Sequence, residues 1–502
     1  MSSIRRLANQ TLWYGGSYVA ARFLNVFLKF FLTHIIAIDN YGVVTKVYVY
    51  STFLNVLFTY GMETTYFRFI QHKEGRNAVY ATSFFSVFGT TILLSTAMAV
   101  CAAPISDIWN IPGHPEWVVW FAGILGFDAL CAIPFARLRQ QGRPVKYAFI
   151  RFLNILMQVL LIFYFLVIGP WAGARGHRLP GYDPAVGVGY VFIANLIASA
   201  VTLLLLYKEL RGLRAVFDLK LWKQMMRYTW PLMIVGFGGM INEVMDRALL
   251  DNLLPYSRDR VETIQAIYYS GYLFALLINV FIQVFKMGAE PFFFNEAGRE
   301  NAQATYARIM KFYVIGSCWM FLGIVLFRDL WKALNLVDIR HSPEYAGGFD
   351  VIPQLAMSYV CLGIYYNLAI WYKLTNKTLY GAYMTLAGVV VTLVLNIWWI
   401  PRFSYVGSAW ASFLCYFIMM VISFVWGQRH YPVPYEWKKL GGYMLLAVVV
   451  LLLHEGLQRL TGQTGLRVLA GVLLLGAYML FTLLRERREF SRLPVVGRWL
   501  GR

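Results

Sequence analysis

Charge is what this sequence is short of. Only 14% of its 502 residues are charged while 59% are hydrophobic, against about 25% charged in soluble globular chains. A soluble domain is thereby excluded, and the composition is that of an integral membrane protein. Acids are scarcer still, 25 Asp and Glu against 45 Lys and Arg. Five cysteines, Cys101, Cys131, Cys318, Cys361 and Cys415, lie scattered without CxxC spacing. They exclude a disulfide framework and a zinc site and read as small residues of an apolar core. No GxxxxGK[ST] loop is present, so the chain is not expected to hydrolyse ATP itself. No His, Cys and carboxylate cluster has metal-ligand spacing, and His177, His341 and His454 read as isolated loop or helix-end residues at the surface. Arg5 and Arg6 precede no short apolar run with a small-residue cleavage site, so the N-terminus is expected to be retained on the cytoplasmic side. No connection is long enough to house a folded enzymatic domain.

Apolar runs of about 20 residues, the length that spans a bilayer as a helix, recur along the whole chain. Fourteen are counted, at 11–36, 43–62, 79–101, 117–136, 148–169, 185–207, 228–254, 265–285, 309–327, 354–373, 380–400, 405–427, 440–455 and 467–484. The expected fold is therefore an all-α polytopic membrane protein. With the N-terminus inside, Lys and Arg favour the inner segments over the outer loops about threefold. That bias supports an even number of spans with both termini cytoplasmic. It also assigns the basic excess to topology and anionic lipid, so nucleic acid is not an expected partner. Aromatic content of 17% suits two interfacial belts. Residues 208–227 form a basic amphipathic cytoplasmic linker between six spans and eight, and the basic tail 485–502 reads as a helix lying on the inner leaflet.

Two stretches carry polar groups where lipid would reject them. In YTWPLMIVGFGGMINEVMDRALLDNLLP, residues 228–255, the second half bears Asn242, Glu243, Asp246, Arg247 and Asp251. Each ionised side chain deep in a span costs roughly 2.5–3.5 kcal/mol on insertion scales, so this helix must line a protein-enclosed or watery cavity. Glu243 and Arg247 have the i, i+4 spacing of an intrahelical pair. In the first span Tyr18, Arg22, Asn25 and Lys29 share one helical face. Arg22 stands about 16 Å above the inner end at 1.5 Å per residue, too deep to reach either headgroup layer. Lys46 in the second span extends the set. Arg22, Asn25, Lys29, Lys46 and Arg247 are the candidate wall for an anion, with Arg suited to phosphate. Asp128, Glu243, Asp246 and Asp251 are the candidate proton or sodium groups; Asp128 has no evident local partner in sequence. Tyr18, Asn242, Asn279 and Gln283 are further polar cavity candidates. No cofactor is expected beyond such a coupling ion.

YGMETTYFRF (60–69), MINEVMDRALLDNLLP (240–255), IYYSGY (267–272), FIQVFKMGAEPFFF (281–294) and GIYYNLAIWYKLTNKTLYGAY (363–383) resemble the polysaccharide-biosynthesis flippases. These belong to the superfamily that includes the multidrug and toxin extruders and the lipid II flippases. The similarity runs from about residue 5 to residue 440. It implies two six-helix lobes around a central cavity, 1–207 and 228–427, with two extra C-terminal helices in 428–484. It also implies export of undecaprenyl-diphosphate-linked oligosaccharide, a surface-polysaccharide or O-antigen repeat unit, across the bacterial inner membrane by alternating access. Expected partners are that substrate, membrane lipids and other polysaccharide-assembly proteins, with the chain acting as a monomer. EPFFF, after the eighth span, is expected to be a gate or packing element. A drug or cation extruder of the same superfamily is the alternative within transport. A membrane glycan polymerase or ligase is a weaker one, its nearest acid constellation being Asp329, Asp338, His341, Glu344 and Asp350.

Overall fold

A computed structural model describes residues 24, 26–70, 76–111, 113–177, 179–211, 213, 217–296, 301–375, 377, 379–460 and 462–490. Among them there is no β-strand. Among the described residues ten helices are long and apolar enough to cross a membrane, and the protein has a multi-pass, helical membrane fold. Its contacts divide it into two compact units. The first comprises Met1–Ala266 with Thr385–Ser408, the second Ile267–Met384 with Ala409–Arg502.

The first unit contains α1 (Val26–Ile35), α2 (Ile38–Thr59), α3 (Met62–Phe69), α4 (Arg76–Val100), α5 (Ala102–Ile108), α6 (Pro115–Gln140), α7 (Pro144–Phe163), α8 (Gly169–Gly173), α9 (Tyr190–Leu205), α10 (Tyr207–Leu210) and α11 (Leu219–Leu253). Its interior is made where α6 meets α4 and α9, α7 meets α9, and α2 meets α11. At 22 and 35 residues, α2 and α11 reach about 33 and 52 Å at 1.5 Å per residue. Both are long enough to span, yet they carry too much polarity to count among the ten. Residues 219–227, within the basic joint, are the opening turns of α11. The Asp218 carboxylate caps them by accepting from the Lys220 and Leu221 amides at 2.9 and 3.0 Å.

The second unit contains most of α12 (Arg258–Glu296), then α13 (Ala302–Val325), α14 (Arg328–Ala333), α15 (Ile352–Leu368), α16 (Ile370–Leu374), the two ends of α17 (Leu379–His430), α18 (Trp437–Leu460), α19 (Thr464–Arg485) and α20 (Arg487–Phe490). The 52 residues of α17 would reach about 78 Å if straight, far beyond a hydrocarbon core of about 30 Å. It breaks where sequence chemistry demands. Pro401 removes a backbone donor, and Ser404 takes φ 51°. EPFFF, expected to be a gate or packing element after the eighth span, continues α12. There Phe293 is buried with Ala302, Tyr306, Ile370 and Val433, and the Tyr306 hydroxyl donates to its carbonyl at 2.8 Å. Cys131, Cys318, Cys361 and Cys415 are buried, but Cys101, expected in the core, is exposed. His454, expected at the surface, is buried with Nε2 3.0 Å from the Arg467 carbonyl.

Candidate functional site

The polar half of α11 is placed by the apolar half of its surface. Val244 and Ala248 bury against Val49 of α2, with Tyr50, Phe53 and Met245 around them. This seats the α11 charges against α2 in the first unit. Asp246, Arg247 and Asp251 are 4%, 6% and 2% exposed, so each needs a partner. Arg247 Nε lies 3.3 Å from Asp246 Oδ1, and its Nη2 donates to the backbone carbonyl of Glu243. Asn242 donates to the Thr385 carbonyl at 3.2 Å and accepts from Thr392 Oγ1 at 3.4 Å. The α11 stripe thus rests on the arm of α17 that belongs to the same unit.

One turn past Arg247, Asp251 enters a second network. Gly42 on α2 is the residue that admits it, because a Cβ there would run into the backbone carbonyl of Glu262. One turn on from Gly42, Lys46 Nζ reaches Glu262 Oε1 at 3.0 Å, Asp251 Oδ1 at 3.7 Å and the Asn110 carbonyl at 2.9 Å. The other Asp251 oxygen accepts from Tyr50 at 2.9 Å and from Asn110 Nδ2 at 2.8 Å. Arg258 Nη1 stands 3.7 Å from Asp251 Oδ1. Two cations and two carboxylates therefore balance inside one knot that ties α2, the segment after α5, the end of α11 and the start of α12. Asn110 takes φ 54° to present its carbonyl, a conformation Asn tolerates better than most residues.

The structure thus joins Lys46, expected to hold an anion, to Asp251, expected to couple an ion. Arg247 is joined to Asp246. Lys29 is half-buried, and its carbonyl accepts from Tyr41 at 3.2 Å. Asp128 is exposed and faces Ser199 of α9 and Arg151 of α7. Asn279 and Gln283 fall in the second unit, where Gln283 Nε2 donates to Asn279 Oδ1 at 3.4 Å. Tyr18, Arg22 and Asn25 lie outside the described residues. The acids of 328–353 do not converge on one point. Asp338 pairs with His341 at 2.8 Å and Asp329 with Arg467 at 3.4 Å. Burial alone would raise the Asp338 carboxyl, but hydrogen bonds from His341 and Asn335 outweigh it and hold the group below its usual range. Sequence reasoning missed Asn110, Arg258, Glu262 and Thr392. The signal that could have found them was the unmet demand of Lys46, Asp251 and Asn242 for partners.

The described helices thus form a multi-pass membrane fold with charged groups paired inside it. The chain belongs to the polysaccharide biosynthesis protein family, whose model matches residues 7–295. Among solved structures, a lipid II flippase MurJ in an inward closed conformation is similar at TM-score 0.70 and 13% identity, covering 95% of this chain and 99% of that one. An inward-facing multidrug resistance MATE family transporter of the MOP superfamily is similar at TM-score 0.59 and 13% identity, covering 86% and 98%. The Vibrio cholerae MATE transporter VcmN in its bent form is similar at TM-score 0.56 and 11% identity, covering 85% and 96%. A comparison with curated proteins returns no significant match.

Proposed function

We infer that this protein is a flippase that moves undecaprenyl-diphosphate-linked oligosaccharide from the inner to the outer leaflet by alternating access. The observation that carries the reading is the set of buried cation–acid pairs on α2 and α11 in a chain of the polysaccharide biosynthesis family. The apolar runs support fourteen spans, the basic bias supports cytoplasmic termini, and the family likeness supports two lobes with two added C-terminal helices in a bacterial inner membrane. Arg22, Asn25, Lys29, Lys46 and Arg247 would hold the diphosphate or an acidic sugar while the polyprenyl tail stays in lipid. Lys46 is enclosed by Asp251 and Glu262, so an anion can take it only as those acids are released or neutralised. Such an exchange of partners would couple transport to protons or sodium, with Asp246 and Asp251 as the acids paired with the cations. The lipid II flippase likeness fits this reading. The MATE likeness favours one alternative, an extruder of organic cations. Transfer of a diphosphate-linked oligosaccharide across proteoliposomes, set against transport of an organic cation, decides between them.

A further inference from the structure

A second polar surface lies in the first unit, away from the α11 charges. On α7, Arg151, Asn154 and Gln158 are spaced three and four apart and so share one face. The opposite side of the same helix is an exposed apolar stripe, with Phe149 60%, Phe152 41% and Leu160 58% exposed. Lipid has its own face on α7, and the polar one looks elsewhere. On α9, half-buried Asn195 and the buried Ser199 and Thr202 repeat the pattern with spacings of four and three. The two faces are stitched together, since Asn154 Nδ2 donates to Thr202 Oγ1 at 2.9 Å. Asn195 Nδ2 donates to the Tyr48 hydroxyl of α2 at 3.2 Å, carrying the surface one helix further.

Asp128 of α6 completes it. This carboxylate is exposed while Leu125, Ala129 and Cys131 around it on the helix are buried, so the packing opens at its side chain. It faces Ser199 and Arg151. Arg151 is also exposed, its guanidinium 4.3 Å from the centre of the Phe135 ring. An acid and a guanidinium left open within spanning helices are too costly to face hydrocarbon and mark a water-filled or ligand-filled space.

The chemistry of that space is selective. Asp128 and Arg151 offset each other, so the surface has no net charge. The half-buried amides of Asn154, Gln158 and Asn195 both donate and accept, while Ser199, Thr202 and the Phe135 ring are buried behind them. A bare diphosphate would call for cations alone, and an organic cation for acids alone. Donors and acceptors in alternation without net charge suit a polyhydroxylated group. We propose that the α6–α7–α9 surface is a saccharide seat, contacting the glycan of the substrate and not its diphosphate. The proposal rests on the flippase reading and adds a site to it.

Protein reconstituted in nanodiscs is titrated with two probes, undecaprenyl diphosphate bearing N-acetylglucosamine and undecaprenyl diphosphate without sugar. The native protein is expected to bind the glycosylated probe more tightly. Asn154→Ala with Gln158→Ala is expected to weaken the glycosylated probe about tenfold and leave the bare one unchanged. Where thermal unfolding shows that the double variant does not fold, Gln158→Ala alone at its half-buried position gives the same comparison with a smaller loss. Phe149→Ala on the lipid face is expected to change neither. A native protein without preference for the sugar, or variants that keep that preference, overturns the saccharide seat alone. Failure of the native protein to bind either probe overturns the flippase reading and the seat with it.

Discussion

Removing the Lys46 ammonium would leave Asp251 and Glu262, 3.7 and 3.0 Å away, facing each other with only Arg258 to offset them. The Asp251 side chain is fully buried, and breaking such a pair from one side typically costs about 3–5 kcal/mol. Lys46→Ala should lower thermal stability in detergent by that order, and adding Asp251→Asn should restore part of it. A Lys46→Ala protein as stable as the native one would mean that the knot is solvated and carries no strain. Gly42→Ala tests the same knot through shape, because the added methyl would run into the Glu262 backbone. A loss of about 1–3 kcal/mol is expected, read as a lowered unfolding temperature. At this scale the sequence announced that Lys46, Asp246, Arg247 and Asp251 needed protein around them. It did not announce the partners, since Glu262 lies 216 residues from Lys46 and periodicity carries no information across that distance. The same holds for Asp128, whose neighbours Arg151 and Ser199 come from two other helices.

Elements were legible where hydrophobic length alone decides them. The two arms of α17 could be read as two spans because Pro401 and a bilayer-length limit both act locally. The start of α11 was less legible, because nine residues of basic joint hide a capped helical start. His454 was misread for a related reason: whether a mid-helix histidine is buried depends on the neighbouring α19, which sequence does not place. Helices α18 and α19 are fastened to α13 by charge as well as packing. Lys311 Nζ lies 2.9 Å from Glu436 and 3.4 Å from Glu486, and Glu486 accepts from Tyr443 at 2.6 Å. The Lys311 hydrogen bond holds Glu436 below its usual carboxyl range. Burial would raise Glu486, but Lys439 and Tyr443 outweigh it and lower it as well. A carboxyl lowered by folding contributes stability above its unfolded pKa, and that contribution is lost as pH falls through the lowered folded value. The attachment of α18 and α19 should therefore hold at neutral pH and loosen in acid below the ordinary carboxylate range. Hydrogen exchange of α18 and α19 against pH should show the acid loosening. Lys311→Met should weaken this pH dependence, with Lys439 and Tyr443 still holding Glu486, while loosening the helices already at neutral pH; an unchanged profile would assign the attachment to packing alone.

For the molecule as a whole, the membership of its family and the likeness of its fold to a solved lipid II flippase stand independently of any one side chain, whereas the cargo does not. Apolar runs and basic bias carried the sequence to a polytopic membrane protein, and the α11 stripe carried it to an interior that must house polar groups. What the stripe binds is a matter of ligand chemistry, which helical periodicity leaves open. The direct measurement is transfer of an undecaprenyl-diphosphate-linked oligosaccharide across proteoliposomes, with and without an imposed proton or sodium gradient, for native protein and for Arg22→Ala. The flippase account predicts gradient-stimulated transfer by the native protein and its loss in Arg22→Ala at unchanged thermal stability. Folded native protein that moves no lipid-linked oligosaccharide under either gradient, or Arg22→Ala that moves it at the native rate, would contradict the account.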